Sequence, residues 1–164
     1  MKKHSNVIAE NEVAWAELSR GRGFRYRRRI LGEAAGSAKL GCSLYEIPPG
    51  ASAFPLHFHT ANEEAIFVLA GAGTLTLGDA QVAVGAGDYV AMPAGPANAH
   101  KLVNTSQAPL RYLCISTMNE VEVCGYPESD KLGIGVGPRG KRTIAASFRR
   151  DSAVDYYDGE PDAS

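Results

Sequence analysis

The segment HFHTANEE, residues 57–64, places two histidines one residue apart and follows them with two glutamates. The chain has only four histidines, so half of them stand here. In an extended strand, residues two apart share a face. His57 and His59 therefore project together, with Phe58 on the other side. Two imidazoles on one face suit a borderline divalent ion such as Fe, Mn, Ni, Zn or Cu. Thr60, Ala61 and Asn62 read as a polar reversal, after which a strand opening at Glu64 runs back beside the first and offers a carboxylate oxygen. A third histidine, His100, opens another apolar strand after the tight loop Pro93-Ala94-Gly95-Pro96. In a closed barrel that strand is expected to face the first pair from across the lumen. An HxH pair alone is weak evidence, because a buried histidine is more often a hydrogen-bonded core residue. The nearby glutamate and the second histidine segment shift the balance toward metal ligation.

The elements needed to hold such a site are short strands. Eighteen glycines and nine prolines interrupt the chain at close intervals, which argues against long helices. Between them lie runs rich in Val, Ile, Leu, Tyr and Phe. Strands are expected over 24–31, 40–47, 54–59, 64–69, 73–77, 81–84, 89–92, 100–103, 110–117 and 120–124. Many short strands at this spacing indicate an all-β sandwich or barrel. A short helix is expected only near 12–18. The expected organisation is an N-terminal arm (1–23), a β-barrel (24–125) and a C-terminal extension (126–164). Ile144, Phe148, Val154, Tyr156 and Tyr157 in that extension should pack on the barrel or on a partner subunit.

At 164 residues the chain suits one domain, and its 45% apolar and 21% charged content is that of a globular protein. A net charge of −1 creates no global field toward nucleic acid or anionic lipid. Neither a nucleic-acid nor a membrane partner is expected, and no apolar run approaches the ~20 residues of a membrane helix. FRYRRRIL, residues 24–31, holds four arginines and reads as a strand with a solvated face along which arginine stems lie. Cys42, Cys114 and Cys124 form no CxxC pair, so a disulfide framework is not suggested and the cytoplasm is the expected compartment. Cys42 and Cys114 sit in apolar runs and read as inert core thiols.

These residues together resemble the cupin superfamily. Its first motif is matched by Gly50, His57, His59, Glu64 and Gly71, and its second by Gly87, Pro93, Gly95, His100 and Asn104. Glu64 fits the register better than Glu63. The loop before His57 is one residue longer than the motif's usual spacing and that before His100 two residues longer, with Asn98 where strict spacing would put a histidine. Tyr126-Pro127-Glu128-Ser129 after the barrel also looks like small single-domain bacterial cupins, some labelled as sugar phosphate isomerases. The resemblance implies a double-stranded β-helix, that is a jelly-roll barrel with irregular N- and C-terminal arms. It also implies one divalent transition-metal ion (Fe, Mn, Ni or Zn) on His57, His59, Glu64 and His100, and often a homodimer.

Three imidazoles and one carboxylate would leave a divalent ion net positive and able to polarise a small oxygenated substrate. Isomerase, decarboxylase and dioxygenase chemistry all remain open at this point, as does binding of a small ligand without turnover, in a sensor or carrier. No catalytic acid or base is assigned. Glu63 and Lys101 alternate away from the metal face, and Tyr45, Tyr89 and Tyr112 are candidates for the lumen. Ile66, Val68 and Leu102 should give the site a small and mostly apolar wall.

Overall fold

The computed structural model describes residues 4–21, 23–138 and 140–161. Thirteen strands follow in chain order: β1 (Ala16–Arg20), β2 (Phe24–Ile30), β3 (Leu40–Ile47), β4 (Phe58–His59), β5 (Glu64–Ala70), β6 (Ala72–Leu77), β7 (Ala80–Gly85), β8 (Tyr89–Met92), β9 (His100–Val103), β10 (Leu110–Thr117), β11 (Val121–Tyr126), β12 (Lys131–Val136) and β13 (Ile144–Arg149). One sheet has the order β1-β2-β3-β10-β5-β8. The groups β7-β6-β9 and β13-β12-β11-β4 form the other layer. An antiparallel bridge between His57 and His100 joins these two groups. The result is an all-β double-stranded β-helix.

The inner faces follow the two-residue period. In β5, Ile66 and Val68 are 4% and 0% exposed, whereas Phe67 and Leu69 are 37% and 41% exposed. Tyr45, Ile47, Leu75, Met92, Leu110 and Tyr112 complete the same core. Tyr45 and Tyr112 stack at 5.3 Å between ring centroids. Burying each large aliphatic side chain contributes roughly 1.5–3 kcal/mol, so this core can hold the barrel without help from the histidines.

Several expectations are corrected. The helix expected near 12–18 is absent; a 3-10 turn at Glu10–Glu12 is followed by β1. A helix this short is marginal by itself. The extended path instead pairs with β2 and lays Trp15 over Arg27 and Arg29, 4.6 and 4.3 Å from the ring centre. Glu10 pairs with Arg111 at 3.0 Å. The strand expected over 54–59 shrinks to β4, because Pro55 has no N–H for a ladder and the Phe54 carbonyl is taken by the Ser52 hydroxyl at 2.8 Å. β5 does not run beside β4; it lies between β10 and β8 in the opposite sheet. β12 and β13, not expected as strands, extend the β11 edge.

The candidate metal centre

His57 and His100 are direct partners across two strands. Their backbones exchange both hydrogen bonds, His57 N to His100 O at 3.1 Å and His100 N to His57 O at 2.7 Å. This corrects the expectation that His100 faces the HxH pair from across the lumen. The residue across the lumen is Glu64, at the start of β5. His59 pairs with Cys124 on β11. One row of the sheet thus aims His100, His57 and His59 inward, and the opposite sheet answers with the carboxylate.

The turn that crosses between the sheets is held by Glu122, which is 3% exposed. Its carboxylate accepts from the backbone N–H of Thr60 (2.9 Å), Ala61 (3.2 Å) and Asn62 (2.7 Å). Asn62 Oδ1 then accepts from the Asn119 backbone N–H at 2.8 Å. This anchoring fixes the turn, and the β10 and β8 ladders on either side of β5 hold Glu64 at its end. Phe58, the residue between the histidines, turns outward over Gly125, where any side chain would collide with its ring.

The ring nitrogens have defined roles. His57 Nδ1 lies 2.9 Å from the Pro55 carbonyl, and His100 Nδ1 lies 2.9 Å from the Asn98 carbonyl. A carbonyl can only accept, so each Nδ1 carries the proton and each Nε2 turns its lone pair inward. Asn98, which strict motif spacing would make a histidine, contributes its backbone carbonyl to His100. The two extra loop residues are absorbed by the 3-10 turn Pro96–Asn98, entered through Gly95 at φ 122. The motif residue Asn104 is fully buried and donates to the Ile47 and Ala108 carbonyls, both at 2.8 Å. Its role is to tie strand ends together.

Glu64 Oε2 is 3.0 Å from His59 Nε2 and 3.2 Å from His100 Nε2. The ligand atoms of His57, His59, Glu64 and His100 all lie within 4.8 Å of one another. Glu64 Oε2 and the unprotonated His100 Nε2 bring lone pairs together, which a cation between them relieves, while His59 Nε2–H donates to the same oxygen in the metal-free protein. Three nitrogens and one oxygen in such a cluster fit a divalent transition metal. Burial and the neighbouring His100 push the His57 pKa down to about 4. Burial also opposes charge on His59, but hydrogen bonds with Cys124 and Glu64 outweigh it and push its pKa up to about 10. Burial would raise Glu64, yet the neighbouring His100 and His59 rings hold it well below the usual carboxylate range.

Three contacts around the cluster escaped the sequence reading. Cys114 Sγ donates to Glu64 Oε1 at 2.9 Å, so this thiol is a partner of a site residue and not an inert filler. Cys124 Sγ is 3.4 Å and Glu122 Oε2 3.8 Å from His59 Nδ1. The signal for the last two was parity: in VEVCG, Glu122 and Cys124 share a face, which an acidic residue avoids unless it has partners.

The cluster stands between two spaces of different character. Below it is an apolar pit of about 30 Å³ walled by Ile66, Leu75, Met92 and Leu102. Above it opens a cavity of about 450 Å³ whose wall includes Arg28, Ser43, Asn62, Ser116, Tyr126 and Arg142. The expected apolar wall therefore describes the pit, while the larger cavity is substantially polar. Tyr45 and Tyr112 face inward as expected; Tyr89 is 65% exposed and does not.

Residues 43–116 match the cupin domain family. The chain is 37% identical over 81 residues to an uncharacterized protein of Methanocaldococcus jannaschii, covering 49% of this chain and 56% of that protein. Among solved structures, a proposed sugar phosphate isomerase from Acidithiobacillus ferrooxidans superposes with a TM-score of 0.79 at 25% identity, over 92% of this chain and 96% of its own. A sugar phosphate isomerase of the cupin superfamily from Silicibacter pomeroyi gives the same TM-score of 0.79 and 25% identity, over 93% and 98%. A polyketide cyclase from Streptomyces resistomycificus reaches 0.58 at 27% identity, over 71% and 80%. The family match, the barrel and the paired motifs agree that residues 43–116 form a cupin domain.

Proposed function

We propose that His57, His59, Glu64 and His100 hold one divalent transition-metal ion (Fe, Mn, Ni or Zn), and that the protein converts a small oxygenated molecule there by isomerase-type chemistry. The observation that carries this reading is the meeting of the His59 and His100 Nε2 atoms on Glu64 Oε2, with His57 Nε2 turned to the same point. The bound ion would act as a Lewis acid, polarising a carbonyl or hydroxyl and acidifying the adjacent C–H or O–H. The chain's own residues prepare that chemistry. The Pro55 and Asn98 carbonyls fix two imidazole tautomers, Cys114 orients the Glu64 carboxylate, and Glu122 holds the turn between them. The cavity admits a compact ligand and is too small for a polymer chain.

Isomerisation is favoured over decarboxylation and oxygenation because the two relatives at a TM-score of 0.79 are named for sugar phosphate isomerisation. Ligand binding without turnover is the second reading. It is favoured by the two carboxylates on the cavity wall being already engaged, Glu64 by imidazoles and Glu122 by backbone N–H groups. A cytoplasmic homodimer belongs to the same proposal. Its support is the outward patch of Phe67, Leu69 and Tyr89 for the dimer, and cysteines that form no CxxC pair for the compartment.

The test is elemental analysis of protein purified without affinity tag or chelator, beside H57A and E64A. The expected result is near one equivalent per wild-type chain and loss in both variants, with far-UV circular dichroism unchanged because the apolar core is separate from the ligands. Equal metal content in all three would refute the ligand assignment.

A further inference from the structure

The arginine-rich strand β2 is not a uniform solvated face. Arg25, Arg27 and Arg29 share one parity and lie on the outer side, where Arg27 pairs with Glu46 at 2.7 Å and Arg29 lies against Trp15. Arg28 has the opposite parity. With Tyr26 it points inward, and its guanidinium lines the same cavity as His57, His59 and Glu64. Three consecutive arginines in a strand oblige the middle one to face the other way. In sequence alone all four look like decoration of one solvated face.

Arg28 is half-buried and has no ion-pair partner among the described residues. Its guanidinium donates to the Tyr45 hydroxyl at 3.4 Å, and Glu33 acts on it only at longer range. A guanidinium withdrawn from water without a carboxylate is costly unless an anion completes it. A second cation, Arg142, stands at the cavity rim with its guanidinium over Gly135, where a side chain would collide. The two carboxylates on the wall, Glu64 and Glu122, are engaged elsewhere and leave both arginines uncompensated. Arg28 stands in the row Tyr45, Tyr112, Val68, three strand spacings from β5, and Glu64 lies four residues along β5 from Val68, so the two are offset both across and along the sheet.

We propose that Arg28, with Arg142 at the rim, forms an anion subsite that takes the phosphate or carboxylate end of a substrate whose oxygenated end faces the His57, His59, Glu64 and His100 cluster. Only the second half of this statement rests on the metal reading above. Guanidinium is suited to both headgroups, because its planar donors match two oxygens at once. The arrangement selects a short chain with an anion at one end and a carbonyl or hydroxyl at the other.

The experiment is calorimetric titration of inorganic phosphate and, separately, acetate into the full chain stripped of metal, so that no ion competes for the anion. Wild type, R28Q and R25Q are compared, and metal uptake is measured on each preparation. R25Q removes the same charge from the outer face and controls for net charge. Binding that falls at least tenfold in R28Q and is unchanged in R25Q, with metal uptake intact, supports the subsite. Tighter phosphate than acetate identifies a phosphorylated substrate, and the reverse identifies an acid. Wild type that binds neither anion, or R28Q that binds as tightly as wild type, overturns the proposal. Failure of the metal reading would appear independently, as absent metal uptake in wild type.

Discussion

Glu122→Gln tests whether the site is built by the turn beneath it. The carboxylate shares three backbone donors between two oxygens: Oε1 accepts from Thr60 and Ala61, and Oε2 accepts from Asn62. A glutamine keeps the shape but has one accepting oxygen, so its NH2 group must face at least one backbone N–H, donor against donor. Losing a hydrogen bond to a charged group costs about 1.5–3 kcal/mol, and more when a buried donor is orphaned. Thr60 and Ala61 are exposed and water can reach them, whereas Asn62 is buried. The expected loss is therefore about 2–4 kcal/mol, or roughly 5–15 °C in Tm for a domain of this size. The turn also carries Glu64 toward His59, so metal affinity should fall about 10- to 100-fold. Urea unfolding and competition with a metal-chelating dye measure the two effects. Glu63→Gln, on the exposed side of the same turn, should alter neither. If E122Q loses less than ~0.5 kcal/mol and binds metal like wild type, the claim that Glu122 positions the site is wrong.

Two further outcomes follow from the protonation of the histidines. His59, with its pKa pushed up to about 10, is protonated at pH 8 in the metal-free protein, and a bound metal must displace that proton. Metal titrations in buffers of different ionisation enthalpy should show release of about one proton per ion at pH 8; release of none would contradict the His59–Glu64 pairing. Stability of the metal-free chain should fall on both sides of neutrality. His57 is buried neutral with a pKa of about 4, so the unfolded chain binds more protons and stability is lost as pH drops from ~6.5 through 4. His59 acts oppositely: its contribution is complete below ~6.5 and is lost as pH rises through 10. Urea midpoints that stay flat from pH 4 to 10 would refute both assignments.

Much of this molecule was legible before folding. Strand β5 announces itself as the apolar run Ala65–Ala70, and the eight-residue strands β3 and β10 as runs rich in Leu, Ile and Tyr beside prolines. The candidate ligands were legible for the same reason: in a strand, side-chain direction is fixed by parity, so His57 and His59 had to project together whatever surrounded them. Parity also marked Arg28, Glu122 and Cys124 as inward-facing, although their chemistry was overlooked because a single strand does not reveal what it faces.

What only tertiary structure decided is which strand lies against which. Sequence separation carries no information on whether β5 returns beside β4 or crosses to the opposite sheet, since both paths satisfy the same reversal at Thr60–Asn62. The crossing is made by pairing β5 with β10 and β8, and Glu122, sixty residues beyond Asn62, supplies the acceptor that the turn's N–H groups require. Likewise His100 became the hydrogen-bonded neighbour of His57, and Cys114 the partner of Glu64, through long-range pairing that depends on packing the whole core. Local residue types determined what each strand could offer a metal, and the closure of two sheets on one another determined that the offers meet at one point.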